Sequence, residues 1–178
     1  MQRQIKDSLS VYTASVNIAE PYRFIPPSEG TFVSSCLKLI LPWYLRKNWG
    51  VQGHEIRGVD KLSASMAAGH GIVIAPNHVR VCDAMTVGFL AMACRCHLNF
   101  MGSWHVFKGS RLQNFLIRQA GAFSVHREGM DKASLNKAID ILTKAKRPLV
   151  LFPEGYCAFH NDILNPLQEG ISLIVQRA

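Results

Sequence analysis

A chain of 178 residues is long enough for one domain with a real core, since at this size roughly 70% of the unfolded surface is buried on folding. An apolar content of 48% with 18% charged residues excludes a disordered chain and falls short of a membrane-embedded one. Twenty Lys and Arg against twelve Asp and Glu give a formal charge of +8, so anionic partners are expected: nucleic acid, acidic lipid headgroups or phosphorylated small molecules.

Residues 1–28 are polar and run into Pro26-Pro27-Ser28-Glu29-Gly30, the composition of an extended N-terminal arm or linker. Met1–Ala19 lacks the apolar core of a signal peptide. Residues 29–49 form a second unit around the longest apolar stretch, Phe32–Leu45, which Ser34, Ser35, Lys38 and Pro42 interrupt. It is shorter than the ~20 residues needed to cross a bilayer. As a helix it carries Leu39, Ile40, Trp43 and Tyr44 near Lys38, Arg46 and Lys47. Trp and Tyr beside basic residues suit an amphipathic helix lying in the headgroup region, and a helix packed on the domain's own core fits the same residues.

From residue 50 to 178 the pattern alternates. Val51–Ile56 reads as a first strand, and Asp60–Ala68 as a short helix capped by Asp60. Ile72–Ala75 is a buried strand stopped by Pro76. Asp83 starts a helix reaching Cys94 that is apolar nearly all round, and therefore expected to be buried. Leu98–Met101 is a strand, Arg111–Gln119 a helix, and Phe123–Val125 a strand after Gly121. Asp131–Lys146 is the clearest helix, with Leu135, Ala138, Ile139, Leu142 and Ala145 on one stripe and basic residues at its end. Leu149–Phe152 is a further strand and Gly170–Ala178 a final helix.

Strand and helix in this order predict an α/β fold, a mixed, largely parallel sheet flanked by helices. Ligands of such sheets bind beyond the carboxyl ends of the strands. Asn77, His78 and Asp83 follow the Ile72 strand, Arg127 follows the Phe123 strand, and Glu154 and Gly155 follow the Leu149 strand. Five steps of a helix rotate about 140°, so His78 and Asp83 meet only with His78 in the loop and Asp83 at the helix start. A carboxylate-held imidazole is a general base for a hydroxyl nucleophile. A plain N-cap and an ordinary loop histidine account for the same spacing.

The ordered set is more specific than the pair. Asn77-His78-x4-Asp83, then Gly121-Ala122-Phe123-Ser124-Val125-His126-Arg127, then Phe152-Pro153-Glu154-Gly155 resemble three successive blocks of the glycerolipid acyltransferase family, which includes the lysophosphatidate acyltransferases. The resemblance spans roughly residues 50–178. It implies a base at His78, oriented by Asp83, with Arg127 on the acceptor's phosphate and Glu154 and Gly155 in acceptor binding. Arg127 offers a planar fork suited to phosphate, whereas Glu154 is expected to pair with Arg127 or accept from a hydroxyl. The co-substrates implied are a lysophospholipid and acyl-CoA or acyl carrier protein, at an anionic membrane surface on the cytoplasmic side. The third block continues Tyr156-Cys157-Ala158 where the family has Thr-Arg-Ser, removing one phosphate ligand, and Ser124 stands where a bulky apolar residue is usual. The family's fourth block has no counterpart before Ala178, so on this reading the domain is incomplete at its C-terminus.

The remaining chemistry is sparse. A thioester donor is already activated, so neither a covalent nucleophile nor a cofactor is needed, and no dinucleotide or Walker fingerprint appears. The five cysteines lack metal-site spacing and read as free thiols of a reducing compartment. No recognition-helix pattern supports nucleic acid. Thioester or ester hydrolysis on the same His–Asp pair, or a non-catalytic basic membrane-binding module, are the competing readings. His126, the Trp104, His105 and Lys108 group, and Lys144, Lys146 and Arg147 read first as packing or solvated charge, while His160, Asn161 and Asp162 stand where the site's border is expected.

Overall fold

The computed structural model describes residues 21–160 and 162–178. Most of the expected arm, residues 1–20, and Asn161 therefore lie outside the described residues. Among the described residues six helices and four strands are present, in the order α1 (Phe32–Trp49), α2 (Val59–Ala67), β1 (Val73–Ile74), α3 (Asp83–Ala93), β2 (Asn99–Ser103), α4 (Arg111–Gln119), β3 (Ala122–Val125), α5 (Lys132–Lys144), β4 (Leu149–Val150) and α6 (Gly170–Arg177). A 3-10 turn, Trp104–Lys108, joins β2 to α4.

The strands form one sheet in the order β1-β4-β2-β3, and every pairing is parallel. Leu149 sits beside Val73 on one side and Asn99 on the other, which makes β4 an inner strand although it comes last in sequence. Parallel strands covered on both faces bury successive residues in opposite layers. Leu149 and Leu151 accordingly join Phe123, Ala138, Ile141, Leu142 and Ile174 in one core beneath α5 and α6. Val150 points into the other, with Ala91, Cys96 and Leu98. A third cluster of Leu45, Cys82 and Phe89 ties α1 to α3.

Local chemistry explains the helix ends. The Ser110 and Asp131 side chains accept from Gln113 N and Ser134 N, each capping the first turn of its helix. Gly121 has φ +94°, and a Cβ there would lie 2.2 Å from the Leu98 carbonyl oxygen, so the turn into β3 requires glycine.

Three expectations are corrected. Residues 51–58 contain no strand; Val51 and Ile56 instead pack against the Leu45 cluster, and among the described residues no strand lies alongside to pair with them. Asp60 is not a cap: Gly58 occupies that position in the left-handed region and makes no side-chain bond. In α3 only Phe89 and Ala91 are fully buried; the other residues are half-buried all round, and Ala93 at its end is exposed. The described end of the expected arm, with Glu29 and Gly30, is extended and bonded to the domain. Ser124 N donates to Ile25 O at 3.0 Å, Ser28 N donates to Arg118 O at 3.0 Å, and Arg147 donates to the carbonyls of Ser28 and Glu29. The segment thus covers β3, the outermost strand on that side, whose backbone groups need partners.

Candidate active site

Because all four strands run the same way, their carboxyl ends share one edge. The loop leaving β1 carries His78, and Asp83 is the first residue of α3. His78 Nδ1 stands 3.2 Å from Asp83 Oδ2. That oxygen also accepts from Val79 N and Arg80 N, each at 2.7 Å, so the carboxylate folds the 78–83 loop back over the start of its own helix. Cys82 takes the cap position and makes no side-chain cap bond, which rules out the plain N-cap account of Asp83. Burial pushes the Asp83 carboxyl upward, but the hydrogen bonds from His78, Arg80 N and Val79 N together outweigh it and hold it below its usual range. With an ionised carboxylate at Nδ1, the hydrogen-bond network assigns the ring proton there and leaves Nε2 as the basic nitrogen. No hydrogen bond engages Nε2 among the described residues, and the His78 side chain keeps 17% of its surface.

The segment after β4 fixes His78 from the other side. The imidazole stacks on Phe152, with ring centroids 4.2 Å apart. Its main-chain N–H donates to Glu154 Oε1 at 3.0 Å, and its carbonyl accepts from Ala158 N at 2.7 Å. Glu154 is 1% exposed, and its second oxygen accepts from Asn165 Nδ2 at 2.6 Å and Asn165 N at 3.3 Å. Burial raises the Glu154 carboxyl, yet these donors, led by the Asn165 side chain and followed by His78 N, bring it below its ordinary value.

Arg127 reaches the same turn by a different atom. Its Nη1 donates to the Gly155 carbonyl, while its buried Nε has no hydrogen-bond partner among the described residues. Gly155 has φ +77°, and its N–H donates to Phe152 O at 3.0 Å. This tight turn hands the Gly155 carbonyl to Arg127 and the Glu154 carboxylate to His78. The expected Arg127–Glu154 pair is therefore not formed. Burial, with Arg127 next, lowers the basicity of His105, which places a histidine of the 3-10 turn within the guanidinium's field.

Asn77 is exposed and takes no part in this network. His160 is also exposed. Trp104 is buried and packs edge-on against Tyr22 at 5.3 Å. His126 stacks on Tyr22 and approaches Glu128 at 3.2 Å, so it belongs to packing. Asn165 carries no signal in the sequence, and Phe152 and Ala158 stand there only as members of the third block and its continuation, without a role at His78. Among the described residues no three His, Cys, Asp or Glu side chains gather to hold a metal ion.

A histidine held by a carboxylate at one nitrogen, with no hydrogen bond at the other among the described residues, at the carboxyl edge of a parallel sheet, has an arrangement that suits a general base. Residues 54–178 match the family described as Acyltransferase. The chain belongs to that family. No curated protein sequence and no solved structure matches the chain. Every residue of the candidate site named above, from His78 to Asn165, lies inside the matched span, whereas the covering segment Pro21–Gly30 and helix α1 precede it.

Proposed function

We propose that this acyltransferase moves a fatty acyl group from an acyl thioester, acyl-CoA or acyl carrier protein, to the hydroxyl of a lysophospholipid such as 1-acylglycerol-3-phosphate. The His78–Asp83 contact at 3.2 Å, with Nε2 left unengaged, carries the reading. His78 Nε2 removes the acceptor's hydroxyl proton as that oxygen attacks the thioester carbonyl. Asp83 steadies the imidazolium, the C–S bond breaks, and the proton passes to the leaving thiolate, which regenerates neutral His78. Aligning alcohol and thioester supplies much of the rate.

Arg127 supports an anionic headgroup, since its guanidinium is only half-buried and its planar fork has Nη2 to offer beside the Nη1 that holds Gly155 O. The surface supports work at a bilayer. Phe32, Leu39, Ile40 and Trp43 of α1 and Leu112 and Phe115 of neighbouring α4 are all exposed. Exposed apolar side chains so grouped mark an interaction surface, and Arg46 and Lys47 at the end of α1 suit anionic headgroups. The attachment proposed is interfacial and on the cytoplasmic side; among the described residues no helix is long and apolar enough to cross a membrane.

The test is mass spectrometry of products from acyl-CoA and a mixture of lysolipids. A new diacyl phospholipid is the expected product; free fatty acid alone, with or without acceptor, would replace transfer by hydrolysis.

A further inference from the structure

Resting on the acyl-transfer reading above, we infer that Glu154 and Asn165 form a positioning pair for His78, and that Glu154 serves the reaction through the histidine without touching the acceptor. At 1% exposure the Glu154 carboxylate is closed to an acceptor hydroxyl, and both its oxygens are engaged. Oε1 holds His78 N, and Oε2 holds both nitrogens of Asn165. Hydrogen bonds to an ionised carboxylate are the strong kind, and a buried one that loses a donor rearranges.

The chain of contacts leads from a loop to the base. Asn165 Nδ2 fixes Oε2, the carboxylate plane then fixes Oε1, and Oε1 fixes the His78 main chain. Gln168 N donates to Pro153 O at 2.7 Å, which pins the same loop against the turn that carries Glu154. The imidazole itself is oriented by Asp83 and Phe152, but only if its backbone stands where those two can reach it. A displacement of about 1 Å in such a base costs on the order of a hundredfold in rate.

The variants are Asn165→Ala, Asn165→Asp, Glu154→Gln and the double Glu154→Gln/Asn165→Asp, made in the full chain. Steady-state kinetics with acyl-CoA and lysolipid are read beside the NMR resonance of the His78 main-chain amide without substrates. Asn165→Ala is expected to lower kcat about tenfold or more with the acceptor KM within about twofold, and to move the His78 amide resonance. Asn165→Asp, which sets two carboxylates together, is expected to be worse. In the double variant the Gln amide donates to the new Asp while its carbonyl still accepts from His78 N, so kcat should exceed that of either single variant. A loss confined to the acceptor KM, or an unmoved His78 amide in Asn165→Ala, overturns the inference. The amide readout needs no turnover, so it stands apart from a failure of the wild-type protein to acylate any lysolipid, which would instead overturn the transfer reading.

Discussion

The main-chain N–H of His78 ends on the carboxylate of Glu154, 3.0 Å away across 76 positions of sequence. The two meet because β1 and β4 are neighbours in the sheet, with Val73 beside Leu149 and Ile74 beside Val150. The loops leaving adjacent parallel strands emerge side by side, so the first and third sequence blocks become one mount for an imidazole.

Replacing His78 with Ala is expected to lower kcat by about 10²–10⁴, the usual contribution of a general base, with the fold retained. Asp83→Asn should fall in the same range, because it loses the charge that steadies the imidazolium and weakens the hold on Val79 N and Arg80 N. Single-turnover rates with circular dichroism as a control check both, and wild-type turnover by well-folded His78→Ala would reject the base assignment.

Arg127→Ala is expected to raise the KM for a phosphate-bearing acceptor and to reduce kcat/KM about ten- to a hundredfold, as for a lost charge-assisted hydrogen bond. Arg127→Lys should recover only part, since a point charge cannot bond Gly155 O and a ligand in the same plane. Comparing lysolipids with and without a phosphate monoester measures the effect; equal losses on both would show that Arg127 only braces the turn.

The segment over β3 is held by a short network. Tyr22 Oη donates to Asp131 Oδ2 at 2.5 Å and lies 3.1 Å from Ser124 Oγ, which accepts from Ile25 N at 2.8 Å. Burial and Asp131 raise the Tyr22 phenol well above its ordinary value, so it stays a donor. Tyr22→Phe should cost about 1 kcal/mol and Asp131→Ala about two to three times that, because Asp131 also accepts from His126 N and caps α5. Urea unfolding gives both numbers.

The Leu39→Glu/Trp43→Glu double variant is expected to leave thermal stability near wild type, as both side chains are exposed, at 81% and 60%. Binding to vesicles of anionic phospholipid should fall more than about tenfold, since each buried side chain of this size contributes about 1.5–3 kcal/mol. Co-sedimentation at two salt concentrations measures it, and unchanged binding would exclude α1 as the contact.

Acid should destabilise the site in a defined direction. Asp83 and Glu154 have folded-state pKa values below their unfolded ones, near about 4. Their contribution is therefore complete above that region and is lost as pH falls through the folded values. Thermal unfolding from pH 7 to 3 should show the loss, and Glu154→Gln should start lower at pH 7 yet converge with wild type at the acid end.

Local chemistry made several elements legible. Arg111–Gln119 follows a Ser that caps it, and the helix after Asp131 pairs a capping carboxylate with a 3.6-residue stripe, so both follow from neighbours in sequence. The alternation of strands and helices likewise determined an α/β sheet and the edge on which Asn77, His78, Arg127 and Glu154 would emerge. What lay beyond local pattern was partner choice. Val51–Ile56 has the residues of a strand and no strand beside it, Glu154 carries a charge that points to Arg127 and bonds His78 N, and Ser124 gains its meaning only from Tyr22 and Ile25, about a hundred residues away. A residue's type sets which bonds it is able to make; the order of strands and the sense of a single turn set which partner comes within 3 Å, and those are properties of the packed chain.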